Sequence, residues 1–275
     1  MGFSVNTNIG AMAALQSLND TNSGLAKVQS RINTGLNVAS AKDDSASFTI
    51  AQSLRGDVGG LGAVSTSLNR AKSTVDVAVA GAEQISDILN QMKSKAIQAA
   101  DDGLDAGSRT AIDADYAALK EQITTIIASS EFNGTNLLKD DATSTGKVSA
   151  LQSLDTTTSL TVANQAFETN VTTALGTNLS SKANADTALT EIAAVEATVA
   201  SSLTTLGSAS RKIEGQLSFN SKLSDVIESG IGNLVDADLA KESAKLQALQ
   251  VKQQLGLQAL SIANQAPQSI ISLFR

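Results

Sequence analysis

Apolar residues recur along this chain with the seven-residue period of helices packed side by side. Leu61, Leu68, Val75, Ala82 and Leu89 form one row, and Val64, Ala71, Ala78, Ile85 and Met92 form a second, offset by three. Such a paired row is a coiled-coil seam. It predicts one helix from about Ser45 to Ala99. A later seam runs through Leu189, Ile192, Val199, Leu203, Leu206, Ile213, Leu217 and Ile227, interrupted by Glu196, Ser210, Asn220 and Ser224. A shorter helix is marked by Ile112, Tyr116, Leu119, Ile123 and Ile126. Between the first and the shorter helix, Asp101–Ser108, with Gly103 and Gly107, reads as the turn of an antiparallel pair.

Both ends of the chain carry apolar stripes as well. Leu15, Leu18, Leu25, Val28 and Ile32 mark the first, and Leu239, Leu246, Leu249, Leu257 and Leu260 the second. Asp236 and Asp238 sit where carboxylates favour a helix start. Neither end has a neighbouring element to bury its stripe, so the two are expected to pack on each other and then on other copies of the chain. Beyond the only proline, Pro267, the apolar tip Ile270, Ile271, Leu273 and Phe274 is expected to be buried the same way. Gln16, Asn33, Asn37, Asn264 and Gln265 lie in or beside these helices. They suit either plain solvation or directional hydrogen bonds that fix register.

The stretch from about Lys139 to Ala188 is polar and rich in Ser and Thr, and reads as mostly solvated loop. Within it, Val148–Leu154 and Ser159–Ala163 flank Asp155-Thr-Thr-Thr158, the pattern of a β-hairpin near 147–165. Phe132-Asn-Gly134 reads as a turn closing the third helix. The expected fold class is therefore mainly α: a long antiparallel helical bundle or coiled coil with a small hairpin and paired terminal helices.

Composition narrows the chemistry. Aromatic residues make up 3% of the 275 positions, with no Trp and a single Tyr, which suits helix seams better than a thick globular interior. With no Cys and no His, disulfides, thiol nucleophiles, Cys/His metal sites and Ser-His-Asp relays are all excluded. The acidic pairs Asp43-Asp44, Asp101-Asp102 and Asp140-Asp141 lack calcium-loop spacing and read as turn and cap carboxylates. The net charge of −7, with basic residues scattered, argues against a nucleic-acid partner. The terminal stripes lack the Lys/Arg-rich polar faces of membrane-surface helices. No cofactor and no catalytic site are expected.

The chain also carries a family pattern. VQSRINTGLNVASAKDDSASFTIAQSLRG (Val28–Gly56) and NLVDADLAKESAKLQALQVKQQLGLQALSIANQAPQSIISLFR (Asn233–Arg275) resemble the N- and C-terminal signatures of bacterial flagellins, and Phe132-Asn-Gly134 followed by Leu137-Leu138 fits the same family. The resemblance implies a subunit of the flagellar filament, with residues 1–42 and 235–275 in an inner tube and 43–234 in an outer helical layer. It looks like a minimal member, since Lys139–Ala188 has room for little beyond a hairpin. It implies self-assembly, contacts with cap and hook-junction proteins, a secretion chaperone, and export to the cell exterior without a cleaved signal peptide. The related hook–filament junction protein is the alternative. The resemblance also implies a surface for Toll-like receptor five near Leu89–Ala99. There, alignment through Ile97-Gln98-Ala99 puts Gln91 and Lys95 at positions where the family's recognised surface has Arg and Leu, while Glu121 keeps the acidic contact.

Overall fold

The computed structural model describes residues 7–140, 146–155 and 157–273, with side chains to residue 265. The chain forms α1 (Ile9–Thr34), α2 (Ser45–Ala99), α3 (Ala106–Ser129), the short strands β1 (Glu131–Phe132) and β2 (Thr135–Asn136), the hairpin strands β3 (Val148–Leu151) and β4 (Ser159–Val162), a π-helical turn (Glu168–Thr173), α4 (Lys182–Val235) and α5 (Leu239–Leu273). It divides into two compact units: Met1–Gly56 with Val226–Arg275, and Asp57–Asp225. The divisions fall inside α2 and α4. They differ from the bounds 42/43 and 234/235 that the resemblance implies for the filament's layers.

In the unit Asp57–Asp225 the heptad rows do what their period requires. All ten residues of the two α2 rows are buried. Ile192, Val199, Leu206 and Ile213 of α4 and Tyr116, Ile123 and Ile127 of α3 join the same core. Side-chain bonds fix the helix directions. Lys72 bonds Glu214 at 3.0 Å and Lys93 bonds Glu196 at 2.8 Å, so residue numbers rise on α2 as they fall on α4, and the two are antiparallel. Lys95 with Asp115 (2.6 Å) and Arg109 with the Ala99 carbonyl (3.1 Å) set α3 antiparallel to α2 in the same way.

The α2–α3 turn is built by local chemistry. Asp105 caps α3 by accepting from the Gly107 and Ser108 amides; the Ser108 side chain, then these amides, hold its carboxyl below the usual carboxylate value. Arg109 donates to the carbonyls of Ala99 and Asp101, closing the open end of α2. The acidic pairs play similar parts elsewhere: Asp44 accepts from Ala46 and Ser47 at the start of α2, and Asp140 from the Glu168 and Thr169 amides.

Phe132-Asn-Gly134 is the turn of a small hairpin, β1 pairing with β2. Asn133 (φ 51) and Gly134 (φ 78) supply the two left-handed residues that such a two-residue turn requires. Strands β3 and β4 pair antiparallel with Val148 opposite Val162 and Leu151 opposite Ser159. The Leu151 amide donates to Ser67 Oγ of α2, and Gln216 of α4 donates to the Gln152 carbonyl at 2.7 Å, so the hairpin is tied to both long helices.

One expectation is corrected here. The Ser/Thr-rich stretch is not mostly solvated loop: Phe167, Val171, Leu175 and Leu179 are fully buried. Gln165 and Phe167 donate from their amides to the carbonyls of Leu137 and Leu138, which seats the segment on the core. Helix α4 has already begun at Lys182, and Ala185 and Ala188 are buried with it. Tyr116 lies beneath this region; burial, helped by Glu191 and Asp113, pushes its hydroxyl up to about 12.

Candidate assembly surface

The unit made of the two chain ends is organised around α1 and α5. Asn8 caps α1, its Oδ1 accepting from the Ala11 amide at 3.1 Å. Gly35 (φ 70) ends the helix in the left-handed conformation, its amide donating to the Arg31 carbonyl. The chain then meets the end of α4. Leu36 bridges Asp236, Asn37 and Val38 donate to the Val235 carbonyl, and Ala237 donates to the Gly35 carbonyl. This backbone junction, with Val38, Ile231 and Val235 buried around it, brings the chain's two ends together. Asp238 caps α5, its Oδ1 accepting from the Lys241 amide at 3.0 Å.

From this junction α1 and α5 run side by side as an antiparallel pair. Among the described residues three polar contacts hold it: Arg31 Nη1 to Glu242 Oε1 at 3.4 Å, Gln253 Nε2 to Asn22 Oδ1 at 2.7 Å, and Asn8 Nδ2 to the Ala263 carbonyl at 2.7 Å. Of the two roles open to the polar residues in and beside these helices, solvation is the one observed. Gln16, Asn33, Asn37, Asn264 and Gln265 all lie exposed.

The sequence-predicted apolar residues divide into two groups. Val28 is buried; Leu18, Leu25, Ile32, Leu246, Leu249 and Leu260 are half-buried. By contrast Leu15, Leu239 and Leu257 stand 48%, 49% and 53% exposed. Ile270, Ile271, Leu273 and Phe274 lie outside the residues whose side chains are described. The structure adds exposed apolar residues that the stripes omitted: Ile9 and Met12 on α1, and Val251, Leu255 and Ile262 on α5. At 100° per residue, Val251, Leu255 and Ile262 share a face roughly opposite Leu246, Leu249 and Leu260. A helix apolar on two sides needs more than one neighbour to bury it. Their spacing of four and seven was the available signal, masked by reading only one stripe.

Among the described residues no helix is long and apolar enough to cross a membrane, and no cluster of three metal-ligating side chains occurs. On the Asp57–Asp225 unit, Gln91 and Glu121 are exposed, and Lys95 is held by its ion pair with Asp115. Gln91, Lys95, Asp115, Leu119 and Gln122 line a shallow groove between α2 and α3.

A helical protein whose two ends pair and still present apolar faces outward is of the class that assembles from repeated copies. Comparison with known proteins identifies which. Residues 5–143 match the family model for the bacterial flagellin N-terminal helical region, and residues 183–274 that for the bacterial flagellin C-terminal helical region. The chain is 44% identical to flagellin FljM of Caulobacter vibrioides, over 99% of this chain and 98% of that one. It is 36% identical to a flagellin of Brucella melitensis over 99% of both chains. Among solved structures, Bacillus cereus flagellin is similar with a TM-score of 0.51 and 27% identity, covering 55% of this chain and 86% of that one. The chain belongs to the bacterial flagellin family. It is a structural subunit of the flagellar filament that serves motility, and nothing in these comparisons favours the hook-junction reading.

Proposed function

We propose that the exposed apolar faces of α1 and α5 are the inter-subunit surface of the filament, and that the two chain ends form its inner layer. Leu15, Leu18, Leu25, Val28, Ile32, Leu239, Leu246, Leu249, Leu257, Leu260, Ile270, Ile271, Leu273 and Phe274 then bury against one another and against neighbouring copies. The observation that carries this is the double apolar face of α5, which a single partner helix leaves half uncovered. The work is mechanical, with no turnover chemistry. Cap and hook-junction proteins would meet the same surfaces at the polymer's ends, and a secretion chaperone would cover α5 before export.

The reading has a direct consequence. Along α5, Glu242 is the only buried residue among those described, so the α1–α5 pair is marginal in one isolated chain. Limited proteolysis of monomer should cut within Thr7–Thr34 and Leu239–Gln265 and leave Asp57–Asp225 intact. The same sites should be protected in filaments grown from seeds. Equal protection of both ends in the two forms would show that assembly does not complete this pair.

A second expectation concerns the α2–α3 groove. Where a receptor surface of the family's kind offers Arg, this chain offers Gln91, which lacks a planar multi-donor head. Where it offers Leu, this chain offers Lys95, whose charge is already committed to Asp115. The chain is proposed to be a weak agonist of Toll-like receptor five. The double substitution Gln91→Arg with Lys95→Leu should raise signalling in a receptor reporter assay by tenfold or more, since one hot-spot contact carries about 2 kcal/mol. Strong signalling by the unmodified chain removes the proposal.

A further inference from the structure

This chain offers an oxidant very few atoms. Peroxide attacks the sulfur of Cys and Met side chains. There is no Cys, and the three methionines are Met1, Met12 and Met92. Met92 has no exposed surface and belongs to the α2 seam inside the Asp57–Asp225 core. Met1 lies outside the described residues. Met12, on α1, stands 63% exposed. Among the described residues it is therefore the one sulfur that solvent reaches.

Its place on α1 gives that sulfur a consequence. Ala11, Ala14 and Leu18 are half-buried and Thr21 is buried, which marks the side of α1 turned toward α5. Met12 is off that side. With Ile9 and Leu15, three residues before and after it, it lines a shallow open groove edged by Gln16 and Asn19. Ile and Leu suffice for a plain apolar face. Met adds an unbranched, adaptable side chain, and with it a thioether that can become a polar sulfoxide.

We propose that Met12 is a redox modification site controlling entry of the chain into the filament: the thioether packs against a neighbouring copy, and the sulfoxide keeps the chain out. This rests on the reading of α1 as an inter-subunit surface. Hydrogen peroxide transfers an oxygen atom to the Met12 sulfur. The S–O bond forms as the peroxide O–O bond breaks, the sulfur is oxidised, and water leaves. In the free chain the new oxygen accepts hydrogen bonds from water, so the fold is unchanged. Between copies it loses that water beside Ile9 and Leu15, which have no side-chain donor. An acceptor buried without a donor disfavours the contact and raises the concentration needed for growth about tenfold or more. Burial in the polymer shields the sulfur, so the switch acts on chains not yet incorporated. A dithiol-driven sulfoxide reductase reverses the step: the oxygen leaves as water and the dithiol becomes a disulfide.

The test treats purified monomer with graded hydrogen peroxide, quenches it, and follows seeded elongation beside peptide mass spectrometry. Sulfoxide should form at Met12 well before Met92. Elongation should fall in step with sulfoxide at Met12, not with that at Met1 or Met92, and methionine sulfoxide reductases with a dithiol should restore it. Met12→Leu should elongate normally after the same treatment, and Met12→Gln should elongate poorly without any. Melting of the Asp57–Asp225 unit should be the same in all of them. Normal elongation by chains fully oxidised at Met12, or by Met12→Gln, overturns the proposal, as does equal loss in treated Met12→Leu. If Met12→Leu fails to elongate even untreated, the unmodified chain decides: loss that tracks Met12 sulfoxide and is reversed by the reductases supports the switch, and loss that does neither overturns it. Peroxide applied to finished filaments separates the two readings. Met12 oxidised there as fast as in monomer counts against the α1 surface itself, whereas Met12 protected in filaments while oxidised monomer still elongates overturns the switch alone.

Discussion

Replacing Leu15 and Leu257 together by aspartate should abolish filament elongation and leave the monomer's Asp57–Asp225 unit folded. Both leucines stand about half exposed in the single chain, at 48% and 53%. Completing their burial between copies is worth about 1 kcal/mol each, half of what a fully buried leucine contributes. Aspartate forfeits that and adds the cost of a carboxylate withdrawn from water without a partner. The sum is about 3 kcal/mol or more per subunit added, which raises the concentration needed for growth more than a hundredfold. Seeded elongation followed by light scattering and electron microscopy measures the outcome, and calorimetry of the monomer gives the control. Normal growth at the unmodified concentration would remove these two residues from the interface. A monomer whose calorimetric transition also drops would trace the loss of growth to folding instead.

How far the fold could be read from residues alone depended on how many constraints each segment satisfied. The α2 seam was legible to its bounds, because ten apolar positions obey one period and every one is buried. The hairpin was legible because alternating segments flank a turn rich in Asp and Thr. Where one residue type serves two purposes, residues alone left both open. Asn and Gln solvate a helix as readily as they bridge two; Gln16, Asn33, Asn37, Asn264 and Gln265 lie exposed, while Asn8, Asn22 and Gln253 make the bonds. Arg31 and Glu242 escaped notice because an ion pair spanning 211 positions leaves no local pattern. The edges of the two compact units were hidden for a related reason. They fall within unbroken helices, where periodicity does not change.

The Ser/Thr-rich middle misleads for a different physical reason. Its abundance of hydroxyl side chains suggested solvent, yet Phe167, Val171, Leu175 and Leu179 recur every fourth residue, the spacing of one helical face. The chain enters a π-helical turn through Ala166 at φ 52, with Phe167 and Val171 on it, and Leu175 and Leu179 follow in the irregular segment that leads to α4. That left-handed backbone is uncommon for alanine and is held by the Asn164 side chain, whose Oδ1 accepts from the Ala166 amide at 2.6 Å. The Leu137 and Leu138 carbonyls hold the residues on either side. Phe167 is the largest side chain the segment buries, with no exposed surface at all. Truncating it to alanine opens a cavity that close-packed neighbours cannot fill, at a cost of about 3–5 kcal/mol. For a unit of this size the melting temperature should fall by roughly 6–20 °C. Thr169→Ala, two residues on and exposed, should change it little, because its hydroxyl contact with Asp140 is at the surface. Differential scanning calorimetry of the monomer separates the two outcomes. If Phe167→Ala melts with the unmodified chain, the segment is not part of the core, and the solvated-loop reading of Lys139–Ala188 returns.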